Sequence, residues 1–271
     1  MGRDENMGDD PMKIGLKLYS TDIGLIPEAN RLRQKGLFDY IELYVIPQTP
    51  EACLLQWKTM DVPFVIHAAH ALHGFNLAQA EKEGDNKRHF AEAGRFADNL
   101  GADWIIVHGG NNGSIIETIR QIGLLGDGRI IVENKPKVGL LDEACIGWSR
   151  ADFHAFADAG ILHGIALDFV HAACAASTEG TDERWMIDGF LSFRPKVFHL
   201  SDGDASSEKD IHLNLGKGNR NLGFYLSCVP PGGFVTIETP RNQSKGLEDF
   251  VEDMAFLTEL LKKKRITPRV V

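Results

Sequence analysis

The pattern of apolar and polar positions alternates between two periods along the chain. Short runs rich in β-branched residues are followed by longer segments with apolar residues at helical spacing, which is typical of a parallel α/β fold. Eight runs are predicted as strands: residues 13–18, 40–45, 64–67, 104–108, 130–133, 165–169, 197–200 and 234–238. Helices are clearest at residues 87–100 and 247–264. The pattern therefore predicts an α/β protein with a single (β/α)8 fold, the TIM barrel.

Length and composition agree with one globular domain. The chain has 271 residues, and we expect residues 1–11 to be a disordered leader or a remnant of expression and residues 12–271 to form the barrel. Four scattered cysteines form no CxxC pair, which argues against a zinc ribbon or a disulfide framework. The polar, acidic N-terminus and the lack of a long apolar run predict a cytoplasmic protein with no membrane partner. The net charge of -9 disfavours nonspecific nucleic-acid binding.

Potential metal ligands stand at or just beyond the ends of most predicted strands. They are Glu42, His67, His70, His108, Glu133, Asp168, His171, His199 and Glu238. A lone histidine or aspartate at a strand end usually caps a helix or makes a hydrogen bond. In a closed barrel, however, these ends surround one mouth, where so many carboxylates and imidazoles would carry a heavy desolvation and repulsion penalty that cations relieve. We therefore predict a divalent-metal site at the C-terminal rim of the strands, with zinc first and Mn, Fe or Co as alternatives.

Longer stretches around these residues carry a family resemblance. They read HALHGFNL at 70–77, VHGG at 107–110, VEN at 132–134, LDFVHA at 167–172, HLSD at 199–202, DIHLNLGKGN at 210–219 and ETP at 238–240. Together these stretches resemble endonuclease IV, within the wider xylose isomerase-like barrel superfamily. The most specific part is the Asp-x-His pair of Asp210 and His212, which simpler members of that superfamily usually lack.

The resemblance implies up to three metal ions and the hydrolysis of a phosphodiester. The implied ligands are His70, His108 and Glu133 for the first ion, Glu133, Asp168, His199 and Glu238 for the second, and His171, Asp210 and His212 for the third. Glu133 and Glu238 are predicted to be catalytic. Residues predicted to contact the substrate are Glu42, His67, His73 and Lys217. The implied substrate is abasic-site DNA or a smaller phosphate ester.

Two departures from the endonuclease IV pattern favour an alternative. His73 and Gly74 stand where that family carries an aromatic and an apolar residue that enter the DNA stack, and ELY at 42–44 resembles the carbohydrate isomerase branch. In an isomerase or epimerase, one ion would be held by Glu133, Asp168, His199 and Glu238. The two glutamates would then move a proton on a sugar substrate. A third reading is a nonenzymatic metal-binding scaffold, and no motif indicates an oligomeric state.

Overall fold

Eight parallel strands close into a barrel in chain order, with the first strand paired to the last. The computed structural model describes residues 10–242 and 246–264. The strands are β1 Lys13–Tyr19, β2 Tyr40–Tyr44, β3 Phe64–His67, β4 Ile105–His108, β5 Ile130–Glu133, β6 Ile165–Asp168, β7 Val197–Leu200 and β8 Phe234–Ile237. The predicted single (β/α)8 barrel is confirmed. Residues 1–9, most of the predicted leader, lie outside the described residues.

Helices follow every strand and cover the outside of the barrel. They are α1 Ile26–Gln34, α2 Glu51–Trp57, α3 Glu83–Leu100, α4 Ile115–Leu125, α5 Arg150–Asp158, α6 Phe169–Glu179, α7 Glu183–Leu191, α8 Leu222–Ser227 and α9 Glu248–Lys264. Among the described residues, none of the helices combines the length and the apolar character that a membrane span requires.

Local capping sets where several helices begin. The side chain of Ser149 accepts a hydrogen bond from the backbone of Asp152, whose own side chain accepts one from the backbone of Ser149, so that α5 starts with a capping box. Asp168 caps α6 in a related way, because its carboxylate accepts a hydrogen bond from the backbone nitrogen of His171 at 2.7 Å. The prediction that Phe169 ends the sixth strand is therefore wrong. Phe169 is the first residue of α6, because the Asp168 side chain caps the free backbone N–H groups at the start of that helix.

The lower part of the barrel interior is filled by an apolar layer. Its buried members are Tyr40, Val65, Ile106, Ile131, Ala166 and Val197. Successive side chains of a strand point to opposite faces, so the next inward position lies two residues further along each strand. A separate and larger apolar cluster packs the outer faces of the strands against the helices. The inner layer thus forms a plug beneath the C-terminal mouth.

Gly15 leaves room in this plug for Tyr40. A Cβ atom at Gly15 would lie 2.7 Å from the Tyr40 hydroxyl oxygen and closer still to the ring. The ring has little freedom to move, because it is 1% exposed and its hydroxyl is hydrogen-bonded to Thr236 Oγ1 at 2.7 Å. The close approach of β1 to β2 therefore requires glycine here.

We expect Gly15→Ala to lower the free energy of unfolding by about 1–3 kcal/mol through overpacking of the plug. The matched control is Gly24→Ala, because a Cβ at Gly24 would meet nothing within 4 Å. Urea denaturation of both variants measures the difference. Equal stability of the two variants would contradict this account of the plug.

Candidate metal centre

The inward positions above the plug are almost all ionisable. Two residues beyond Gly15 and beyond the six buried members of the lower layer stand Lys17, Glu42, His67, His108, Glu133, Asp168 and His199. Glu238 follows directly after β8, two residues beyond Thr236. Of these, Glu42, Asp168 and His199 are each 0% exposed. Seven strands and the residue directly after the eighth therefore each contribute one ionisable side chain to the upper part of the barrel interior.

Potential metal-ligand atoms in this region form three groups. Within each group the atoms lie within 4.8 Å of one another. The groups are His67, His108 and Glu133; Glu133, Asp168, His199 and Glu238; and Asp168, His171 and His212. Because Glu133 and Asp168 each belong to two groups, the three groups form one continuous centre.

Backbone carbonyl groups set the orientation of three imidazoles. The Nδ1 atoms of His67, His171 and His212 lie 2.7, 2.8 and 2.7 Å from the carbonyl oxygens of Ala68, Asn134 and Glu238. A carbonyl oxygen only accepts, so each Nδ1 donates, and in the neutral ring Nε2 keeps its lone pair. The three Nε2 atoms face Glu133 at 3.1 Å and Asp210 at 3.0 and 2.8 Å. This arrangement is the one expected of metal-binding histidines.

Many buried polar atoms of the centre make no hydrogen bond with any residue that the structure describes. They include Glu133 Oε1, Asp168 Oδ2, His199 Nδ1, Asp210 Oδ1, His212 Nε2 and Glu238 Oε2. His199 Nδ1 lies only 2.6 Å from Glu238 Oε2, yet it is among these unbonded atoms. Buried polar atoms without partners are costly, and a cation bound among these atoms would relieve that cost. The donor set, imidazole nitrogen and carboxylate oxygen, suits a divalent metal ion.

Glu42 lies beneath the rim and contacts a candidate ligand. Its Oε2 accepts hydrogen bonds from His199 Nε2 at 2.8 Å and from Thr236 Oγ1 at 2.7 Å. Burial opposes ionisation of Glu42, but the charges of His199 and Lys17 outweigh it and lower its pKa to about 2. The sequence predicts that Glu42 contacts the substrate. That contact stays a prediction. In the structure Glu42 orients His199 so that Nδ1 faces the centre.

Lys17 is a component of the centre that the strand-end pattern does not reveal. Its ammonium nitrogen lies 3.0 Å from Glu42 Oε1 and 2.6 Å from Glu238 Oε1. Burial works against the charge, but the two glutamates raise the pKa of Lys17 above its usual value. The sequence feature that could have revealed Lys17 is its spacing from Gly15. Residues two apart on a strand face the same side, so both point into the barrel. Lys17 thus supplies a permanent positive charge inside the acidic layer.

Two histidines of the centre carry an extra proton in the metal-free protein. The positive charge of each ring offsets the negative charge of the neighbouring carboxylates, as a metal ion would. Burial lowers the pKa of His171, but the charge of Asp168 outweighs it and the pKa rises to about 10. In His212 the charge of Asp210 similarly overcomes burial and raises the pKa to about 9. At neutral pH both rings are therefore protonated in the metal-free protein, and a metal ion must displace these protons.

The remaining predicted residues, His70, His73 and Lys217, differ in how close they lie to the centre. His70 stacks on His108 with ring centroids 5.8 Å apart but is not a member of the three groups, in which His67 accompanies His108. Burial and the charge of Lys135 lower the pKa of His70 to about 3, so its ring is neutral. His73 is exposed, and its Nδ1 lies 2.7 Å from the Tyr44 hydroxyl. Lys217 is exposed on the long loop that follows β7.

The centre opens into two cavities. One, of about 340 Å³, is lined by the candidate ligands His108, His171 and Asp210 together with Lys135. The other, of about 780 Å³, extends towards Lys17 and Arg241 on the opposite side. His212 and Glu238 line both cavities. Small molecules can therefore reach the candidate ligands from the C-terminal face, where barrels of this kind place their sites.

Comparison with known proteins identifies the fold. No protein-family model matches the sequence, and no curated protein matches it. A D-tagatose 3-epimerase-like protein superposes with a TM-score of 0.72 at 17% identity, covering 94% of this chain and 98% of its own. Endonuclease IV from Thermus thermophilus gives 0.68 at 21% identity, over 91% and 99%. The IOLI protein with a bound zinc atom gives 0.64 at 14% identity, over 93% and 99%. The chain shares its barrel fold with all three.

We expect Lys17→Met to destabilise the metal-free protein by about 3 kcal/mol, because it leaves Glu42 and Glu238 without their ammonium partner. Lys13→Met on the same strand is the control, since Lys13 is exposed and lies over the Phe234 ring. Thermal unfolding with and without zinc measures both effects. Zinc should recover part of the loss, and a Lys17 variant as stable as the Lys13 variant would argue against this role.

We also expect the thermal midpoint of the metal-free protein to fall as pH rises. The pKa values of His212 and His171 are raised to about 9 and about 10, so their stabilising contribution is complete below pH 6.5 and disappears as pH passes through those values. His212→Gln should show a smaller fall, whereas His163→Gln, at an exposed position, should follow the wild type. Differential scanning fluorimetry between about pH 6.5 and 10 measures the slope. A wild-type midpoint that stays constant would disprove the protonation of these rings.

Proposed function

We propose that this protein is a metal-dependent phosphoesterase that hydrolyses a phosphodiester. Divalent ions, when bound, supply the Lewis acidity that activates water and offsets negative charge on phosphate oxygens. The similar fold of endonuclease IV and of a zinc-bound barrel is in line with this proposal, but fold alone does not determine the reaction. The side chains of the centre therefore carry the proposal.

The observation that carries the proposal is the third group of ligand atoms. An isomerase with one ion needs only the group of Glu133, Asp168, His199 and Glu238. Here a further group is formed by Asp168, His171 and His212, and Asp210 lies between the two rings with one unbonded oxygen. During hydrolysis of a phosphodiester, negative charge develops on the attacking, the leaving and the non-bridging oxygens. Several cation positions can stabilise charge that is spread in this way.

The chain's own residues have separable roles in this proposal. Glu133 belongs to two groups and would be shared by two ions, and Asp168 belongs to both the second group and the third. Interactions with His108 and His199 overcome the burial of Glu133 and hold its pKa well below the usual range. The carboxylate of Glu238 is likewise kept ionised by Lys17 and His199. Two carboxylates held in the ionised form serve better as ligands than as a proton relay on a sugar.

We expect the double change Asp210→Ala and His212→Ala to remove one metal ion per chain. It deletes two residues around the third group while leaving Glu133, His199 and Glu238 in place, so the other ions should remain bound. Phosphodiester cleavage should fall at least about a hundredfold, because charge near the leaving oxygen loses its cation. Elemental analysis of purified protein and cleavage assays measure the two effects.

The control for this experiment is Glu208→Ala, an exposed carboxylate on the same loop, which should change neither quantity. About one ion per chain in the wild type, unchanged in the double variant, would reject the phosphoesterase proposal and support an epimerase or isomerase with a single ion. Turnover of sugars by that protein would then be the reaction to measure, in keeping with the similar fold of the epimerase-like protein.

A further inference from the structure

Three leucines stand exposed around the smaller cavity of the metal centre. Leu72, Leu140 and Leu141 are 69%, 54% and 75% exposed, and all three line the cavity that reaches His108, His171 and Asp210. Single exposed apolar residues are ordinary, but several grouped at the mouth of a cavity mark a binding surface. The leucines come from two separate loops, which follow β3 and β5. The mouth of the metal centre is therefore apolar on these sides.

The loop that carries Leu140 and Leu141 has a defined structure. Residues 137–145, which we call the β5–α5 hairpin, turn back on themselves through the antiparallel bridge between Val138 and Ala144. The backbone nitrogen of Leu141 donates to Glu143 Oε2 at 2.8 Å. Lys209 from the loop after β7 donates to the carbonyl oxygen of Leu140 at 3.3 Å. These contacts hold the two leucines beside the cavity, although their side chains are exposed.

The charges around the mouth do not suit a long polyanion. Lys209 forms an ion pair with Asp142 at 2.6 Å, and Lys137 pairs with Glu179. Lys135 lines the cavity itself, where one cation can meet one phosphate group. A duplex needs several basic residues along its backbone, and the net charge of the chain is -9. The volume of about 340 Å³ lies within the range of small-molecule sites.

We infer that the substrate is a small phosphodiester carrying an apolar alkyl or aryl substituent that packs against Leu72, Leu140 and Leu141. This inference rests on the proposed phosphoesterase activity and names its substrate class. Water adds its oxygen to phosphorus while the bond from phosphorus to the leaving oxygen breaks. The proton transferred to that oxygen gives an alcohol, and the other product is a phosphate monoester. The phosphate lies at the metal centre, and the apolar substituent lies at the mouth.

The test compares two non-hydrolysed anions of equal charge, methyl phenylphosphonate and methyl methylphosphonate, by calorimetric titration into zinc-loaded protein. The phenyl compound should bind about tenfold more tightly, because partial burial of its ring against the leucines replaces contact with water. In the double variant Leu72→Asn and Leu141→Asn this preference should disappear, with the affinity for the methyl compound unchanged. Leu124→Asn is the control, since Leu124 is 50% exposed on α4.

Cleavage assays on small diesters and on an abasic-site duplex complete the design. Equal binding of the two phosphonates, no binding of either, a preference that survives in the double variant, or a larger kcat/KM on the duplex than on aryl diesters would each overturn the inference. If diesters are cleaved but without an apolar preference, the phosphoesterase proposal stands alone. If the preference follows the leucines but no phosphodiester is cleaved, the apolar subsite stands and the proposed reaction is wrong.

Discussion

The structure depends on the two-residue alternation of inward-facing side chains in a closed parallel barrel. One inward layer is an apolar plug, and the next, roughly 6.6 Å further along the strands, is almost wholly ionisable. Because closure pairs β1 with β8, both layers are rings that face a single axis. The apolar plug that stabilises the barrel and the ionisable layer that holds the candidate ligands are thus only two residues apart along each strand.

Such a layer is costly for the metal-free chain. Glu42, Glu133 and Asp168 are at most 1% exposed, where a carboxylate has lost nearly all of its hydration. The protein offsets this cost in two ways. Lys17 is a permanent cation between Glu42 and Glu238, whereas the protons on His171 and His212 can be replaced by a metal ion. Thr236 donates a hydrogen bond to Glu42 in the ionisable layer and is also hydrogen-bonded to Tyr40 in the plug. These two hydrogen bonds connect the two layers.

Strands and loops contribute different properties to the centre. The strands supply most candidate ligands from a rigid ring, as is common for barrels with chemistry at this end. The loops supply His212, which belongs to the third group, Asp210, which contacts His212, and the leucines at the mouth. In the proposed phosphoesterase, the loop after β7 determines the reaction, and the loops after β3 and β5 determine the choice of substrate. These loops can change without disturbing the barrel beneath them.

The sequence by itself determined the eight strands, the order of the helices and most of the candidate ligands, because strand periodicity and strand-end residues are local properties. Where a helix begins depended on a side-chain cap, as Phe169 illustrates. Only the tertiary structure decided that Lys17 enters the centre, that Glu42 contacts His199, and that His67 lies close to His108 and Glu133. Whether a strand residue faces the axis or the helices depends on register with neighbouring strands and on closure between β1 and β8. Those pairings join residues far apart in the chain, and no local pattern encodes them.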